Sequence, residues 1–439
     1  MPISHDSQVI LLLCSHLALS NDTDIAPLTL REWNPMARRI QAHACCPTTI
    51  RQPGSGMNGR ECILAALNHQ EPDRLPVDFG GRHTTMHVRA HQAIKRHLGL
   101  DDRGEAFRQF WLQTVDVDPR LNDRLGGDVV AFCTGKPDAW EMRLEGQDES
   151  FMDEWGAKYR MPPGGYYYDY AFHPLAEARS LSDLDRYPWP DPLDPGRYRG
   201  LKEQVEGAHR RDDKAIMVTI APAGSWEHTW TLRGPQQAMT DLILQRELYE
   251  AILERTVQFQ LAQWERVLDL VGEMIDVAAL SDDLGTQDGP MISPRLYREI
   301  FKPRLARITA LIHSRSRAKV YIHTDGSVYA FLPDLIEAGI DIINPVQTEC
   351  RDMQPEKLKR EFGDRLVFWG AGCNTRVFEF GTPDEVRAEA RQAIQKLGPG
   401  GGYVFGPIHN IQPQVPPENI VALFETAREY GAYPIAAQP

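Results

Sequence analysis

The stretch Lys319-Val320-Tyr321-Ile322-His323-Thr324-Asp325-Gly326 puts a histidine and an aspartate two residues apart. Its first four residues read as a short buried strand. Side chains two apart in a strand project to the same face, so His323 and Asp325 point the same way. Gly326 then lets the backbone leave the strand. The pair offers an imidazole and an oxygen to a metal ion. It reads equally as a hydrogen-bonded rim histidine beside an aspartate that caps the next helix. Two more metal-type ligands stand in similar settings, Cys373 after Gly370-Ala371-Gly372 and His409 after Gly406-Pro407-Ile408. Zinc takes thiolate and imidazole ligands at about 2.0–2.3 Å, and a catalytic zinc keeps one position open. His323, Cys373 and His409, with Asp325 as a fourth, meet that chemistry. Cys373 also reads as a small buried apolar residue, and His409 as the partner of a carbonyl.

Other polar residues follow other apolar runs. Asp282 and Asp283 follow Met274 to Leu280, and with Asp325 they are the candidates for catalytic or ligand-orienting carboxylates. Asp78, His83, Trp226, His228, Asn344, Gln347 and Gln412 are the candidates for substrate contact. Trp226, Trp230 and the tyrosines at 166, 167, 168 and 170 suit a pocket for an aromatic ligand, or ordinary core packing.

These residues share one rim only if the intervening elements alternate between strand and helix. Eight short strands are expected, at Arg74–Phe79, Asp128–Phe132, Ala215–Ile220, Met274–Leu280, Val320–Ile322, Asp341–Asn344, Leu366–Trp369 and Tyr403–Phe405. Helical patterns lie between or beside them. One opens at Ser293-Pro294, a cap followed by proline at the first helical position. Another opens with the capping box Thr382-Pro383-Asp384-Glu385, and the last runs from Pro417 to Tyr430. Alternation of this kind implies an α/β fold, a parallel (β/α)8 TIM barrel with its chemistry at the strand C-termini. A doubly wound open sheet is the runner-up, but no GxGxxG follows a first strand. Residues 140–198 lack helical periodicity and read as an inserted hairpin or lid. Residues 1–56 read as an N-terminal extension, joined by a Pro/Gly/Ser/Thr-rich linker to a main domain at 57–439.

The chain has 439 residues, 42% hydrophobic and 25% charged, which suits a globular protein. Its net charge of −13 argues against general nucleic-acid binding. No apolar run approaches a membrane span. Seven scattered cysteines without a CxxC pair suit a reducing, cytoplasmic setting.

From Met57 onward the chain resembles the uroporphyrinogen decarboxylase superfamily of TIM barrels. The resemblance rests on Arg60-Glu61 with Asp73-Arg74-Leu75-Pro76-Val77, on Asp282-Asp283-Leu284-Gly285-Thr286-Gln287, and on His323-Thr324-Asp325-Gly326. Phe380-Gly381-Thr382-Pro383 and Pro416-Pro417-Glu418-Asn419-Ile420 continue it. The superfamily holds decarboxylases and zinc-dependent methyltransferases that work with corrinoid proteins. The decarboxylases carry an Arg-Gln-Ala-Gly-Arg loop where this chain has Gly80-Gly81-Arg82-His83-Thr84-Thr85. They carry an essential aspartate where it has Phe132-Cys133-Thr134-Gly135. The methyltransferases hold zinc with a His-x-Cys and a later Cys, and here the matching places read His323-Thr324-Asp325 and His409.

The resemblance therefore implies a methyltransferase of the O-demethylase type. It would move a methyl group from a small methylated compound, such as a methyl ether, to a cobalamin carried by a corrinoid protein, with zinc as the protein's own metal. A homodimer is compatible with the sequence, which identifies neither the substrate nor the acceptor. The alternatives are a decarboxylase or lyase acting on a small acid, and a non-catalytic barrel that binds tetrapyrrole or corrinoid.

Overall fold

A computed structural model describes residues 56–146 and 149–436. The expected extension over residues 1–56 lies outside the described residues, apart from Gly56. From Met57 the chain forms one compact unit.

Seven parallel strands make the central sheet. In spatial order they are Tyr403–Gly406, Val367–Ala371, Ile342–Asn344, Lys319–His323, Val277–Ser281, Ala215–Thr219 and Val129–Cys133. Most of these residues are buried, as expected for a parallel sheet covered by helices. The sheet is curled like that of a TIM barrel. Its interior holds Val129, Met217, Ala279, Tyr321, Trp369 and Val404 in one apolar cluster.

The eighth position departs from expectation. Arg74–Phe79 is not a regular strand, yet residues 76–78 bridge the two edges of the sheet. Asp78 N donates to Phe405 O at 2.7 Å, and Phe405 N to Pro76 O at 2.8 Å. On the other side Asp128 N donates to Val77 O at 2.7 Å. Pro76 has no N–H to offer a ladder, so the pairing stays short.

The helices largely follow their sequence signals. Thr382 and Glu385 form the expected capping box of the Pro383–Leu397 helix, and the last helix runs Pro417–Tyr430. The helix expected after Ser293 is broken by a π-turn at Tyr297–Phe301 before it continues as Lys302–Arg315. Pro303 lacks the N–H that would bond the Glu299 carbonyl, which accounts for the break. Within 140–198 the strands Phe151–Met152, Lys158–Arg160 and Asp169–Phe172 form a three-stranded antiparallel sheet. A second small sheet, Met86–His87 with Thr114–Val115 and Phe107–Gln109, was not foreseen. Among the described residues no helix is long and apolar enough to cross a membrane.

Candidate metal and substrate site

His323 ends its strand, with Ser281 and Asn344 beside it in register on the neighbouring strands. That register sets its chemistry. The Asn344 amide nitrogen donates to Trp369 O at 3.0 Å, so its oxygen faces His323 Nδ1 at 2.7 Å. Nδ1 therefore carries the imidazole proton, and the Nε2 lone pair is left for a ligand. Nε2 lies 3.8 Å from Asp325 Oδ1, and His409 Nε2 lies 3.6 Å from Asp325 Oδ2.

The donor atoms of His323, Asp325 and His409 all lie within 4.8 Å of one another. Three ligands about 2.0 Å from one tetrahedral ion stand about 3.3 Å apart. A small inward movement of the side chains would bring these donors to zinc. Two imidazoles and a carboxylate form an accepted catalytic zinc set, so the residues present fit the metal.

The turn that carries Asp325 is laced to the neighbouring strand end. Asp325 N donates to Asp283 Oδ1 at 2.9 Å, Leu284 N to Thr324 Oγ1 at 3.0 Å, and Gly326 N to Gln347 Oε1 at 2.8 Å. Gly326 has φ +86°, and a Cβ there would meet Gly285 C at 2.5 Å. Only glycine fits this crossing of two loops.

Asp282 is used differently. Its carboxylate accepts from Ser225 N and Glu227 N at 3.0 Å and so caps the Trp226–Arg233 helix. Burial raises Asp282 to about 6 despite those donors. Burial and the nearby Asp325 charge raise Asp283 to about 7. Glu227 is pushed well above the usual carboxylate range by burial and by Asp283 and Asp282. One wall of the mouth is thus crowded with carboxyls.

On the opposite side His83 stacks on His323, with ring centroids 4.0 Å apart and planes 10° off parallel. Burial holds His83 well below the usual imidazole range, with the His323 charge acting in the same sense. Its Nδ1 has no partner.

The remaining candidates sit elsewhere or serve the frame. Cys373 does not join the donor cluster; it packs in the apolar core, and burial pushes its thiol up. Ala371 has φ +61°, so the chain turns out of the strand before Cys373 and the period-two projection fails there. Asn344 is fully buried, and its amide is taken up by His323 Nδ1 on one side and Trp369 O on the other. Trp226 is core, packed against Trp230 and Phe301. His228 faces Trp155 away from the donor cluster, with ring centroids 4.2 Å apart, and burial lowers it to about 3. Gln347 holds the Asp325 turn. Gln412 accepts from the Tyr167 hydroxyl and ties the tyrosine-rich segment to the loop after the last strand. Asp78 accepts from Gly81 N at 2.9 Å, Thr84 Oγ1 at 2.7 Å and Trp369 Nε1 at 2.7 Å, and so fixes the loop that carries Arg82 and His83. Sequence reasoning did not foresee the position of Asn344 beside His323; a polar residue at a strand end was the only signal.

The uroporphyrinogen decarboxylase (URO-D) family profile matches residues 156–430. The chain belongs to this family. A uroporphyrinogen decarboxylase of Thioalkalivibrio sulfidiphilus is 30% identical over 146 residues, which span 33% of this chain and 40% of that protein. One of Methylococcus capsulatus is 29% identical over 389 residues, spanning 84% of this chain and 97% of the relative. Among solved structures, a methyltransferase from Methanosarcina mazei superposes with a TM-score of 0.59 at 19% identity. That match covers 85% of this chain and 99% of the neighbour, and it supports the TIM-barrel-like fold. The family and a TIM-barrel-like fold were thus readable from the sequence; the irregular eighth position and the second small sheet were not.

Proposed function

We propose that this URO-D family protein is a zinc-dependent methyltransferase of the O-demethylase type. It would take a methyl group from a small methyl ether and pass it to a corrinoid carried by a partner protein. The observation that supports this most is the convergence of His323, Asp325 and His409, with Nε2 of His323 freed by Asn344. When bound there, zinc supplies Lewis-acid polarisation of an ether oxygen. Asn344 fixes the tautomer of one ligand histidine. Asp283 and Gln347 hold the Asp325 turn. His83 covers one face of His323, and we assign the antiparallel sheet at 151–172 the role of a lid that excludes water. Tyr167, bonded to Gln412, would tether that lid to the rim. We place the reaction in the cytoplasm, in keeping with the free thiols of Cys62, Cys133, Cys350 and Cys373.

The names of the curated relatives favour a second reading, decarboxylation of a small acid. Against it stand Gly80–Thr85 and Phe132–Gly135, which lack the decarboxylases' arginine loop and aspartate.

Metal analysis and single-turnover assays on wild type and His323→Ala test the proposal. Near-stoichiometric zinc in the wild type is expected, with zinc and methyl transfer both lost in the variant. Absence of metal from both after zinc reconstitution would overturn it. Release of CO2 without any corrinoid protein would favour decarboxylation instead.

A further inference from the structure

The antiparallel sheet over residues 151–172 is anchored firmly along most of its length. The buried Arg197 side chain pairs with Glu154, which is buried too. Trp155 packs with Leu232 and Phe259. The Tyr170 hydroxyl lies 2.9 Å from Thr231 Oγ1, and His173 Nδ1 donates to Thr231 O at 2.9 Å. Tyr159 and Tyr168, each 5% exposed, share one apolar cluster with Phe151.

The hairpin tip between those two tyrosines, residues 162–167, is built differently. Pro163 and Gly164 are exposed. Gly164 has φ +71°, and a Cβ there would meet nothing within 4 Å. Two tyrosines bring the tip down on the rim. Tyr166 O accepts from His87 Nε2 at 3.0 Å, and the Arg89 guanidinium lies 4.8 Å from the Tyr166 ring centroid. The Tyr167 hydroxyl donates to Gln412, and its ring meets His87 edge-on at 5.4 Å. A segment held by a few polar and ring contacts at the surface opens more readily than the packed sheet that carries it.

The rim residues under the tip belong to the loops of the site. His87 follows His83 on one loop, and Gln412 follows His409 on the other. The two loops are bonded to each other: His87 N donates to Ile411 O at 2.9 Å, and Ile411 N to Thr85 O at 2.8 Å. The state of the tip therefore bears on both histidines.

We infer that residues 162–167 are a flap, latched by His87 and Gln412, whose release opens the route into the barrel and loosens the loops of His83 and His409. The inference rests on the lid assignment made above and on no step of methyl transfer.

One thiol reports on that route. Cys133 ends its strand, and Val129 and Ala131 of the same strand pack in the interior cluster, so Cys133 projects inward as well. It is half-buried, whereas Cys350 and Cys373 are buried. Iodoacetamide labelling of the full chain, read at each cysteine by peptide mass spectrometry, tests the flap. Wild-type Cys133 should react far more slowly than a cysteine in a short peptide. Tyr167→Phe and Gln412→Ala remove the same hydrogen bond. Each should accelerate Cys133 about 3- to 10-fold, the range of one such bond, and the double variant should exceed neither. Cys350 and Cys373 should not change. Hydrogen exchange in the variants should rise over residues 162–167 and, with them, over 83–87 and 409–412. Wild-type Cys133 as reactive as the peptide would defeat the lid assignment and the flap with it. Slow labelling that neither variant accelerates would overturn the flap alone. So would equal acceleration of Cys133, Cys350 and Cys373, which marks a loosened fold and not a gate. Faster exchange confined to the tip would overturn its coupling to the two histidines.

Discussion

Asn344 is the place where a single side chain would act on both the stability of the barrel and the affinity of the proposed metal site. It is completely buried, with one end 2.7 Å from His323 Nδ1 and the other 3.0 Å from Trp369 O. Asn344→Leu keeps the approximate volume and removes both partners. The His323 N–H and the Trp369 carbonyl are then left unsatisfied, at a cost of about 1–3 kcal/mol each. Removing the partner that orients a ligand histidine typically weakens metal binding about 10- to 100-fold, which is about 1.4–2.7 kcal/mol. Asn344→Asp separates the two effects. A carboxylate still accepts from Nδ1 and makes the imidazole a better donor to zinc, but it sets an oxygen against the Trp369 carbonyl. Leucine should therefore lose stability and zinc affinity together, whereas aspartate should lose stability alone. Urea unfolding of the metal-free proteins and competition with a chromophoric chelator read the two quantities. Zinc bound equally well by wild type and the leucine variant would refute the tautomer argument. So would equal weakening by leucine and aspartate.

Cys373→Ala should leave zinc content unchanged and lower stability by about 1–2 kcal/mol, as for a small buried side chain cut back; elemental analysis showing lost zinc would return Cys373 to the ligand set. The pH dependence of stability should report His228, whose value is about 3 in the fold against about 6.5 unfolded. Its neutral form is favoured in the fold, so its contribution is complete above about pH 6.5 and declines as pH falls towards 3. From pH 7.5 to 5 the wild type should lose about 2 kcal/mol that His228→Phe does not lose. Parallel urea stabilities for the two proteins over that interval would show that the histidine is not held neutral.

The sequence spoke most clearly where a local rule acts alone. Thr382 with Glu385 marks the start of one helix because a capping box needs only residues three apart. His323 and Asp325 bring their donor atoms together at the end of one strand, as a period of two leads one to expect. Where a turn intervenes, the same rule misleads, as the positive φ of Ala371 does for Cys373. Arg74 to Phe79 carries strand-like residues, but Pro76 limits its ladder and the pairing is reduced to a few bonds. The function of Asn344 was hidden for a different reason. It depends on the register His323↔Asn344 between two strands, and no property of residue 344 announces which residue lies beside it.

The distribution of charge around the mouth could not be read from composition either, because it depends on which charges are left unpaired. Glu227, Asp282, Asp283 and Asp325 crowd one wall, and burial raises Asp283 and Glu227, with neighbouring carboxylate charges adding to it. Arg82 stands with His83 on the other, and the neutral His83 ring lies against His323. An anionic ligand approaching this mouth is repelled by the first wall and attracted by the second.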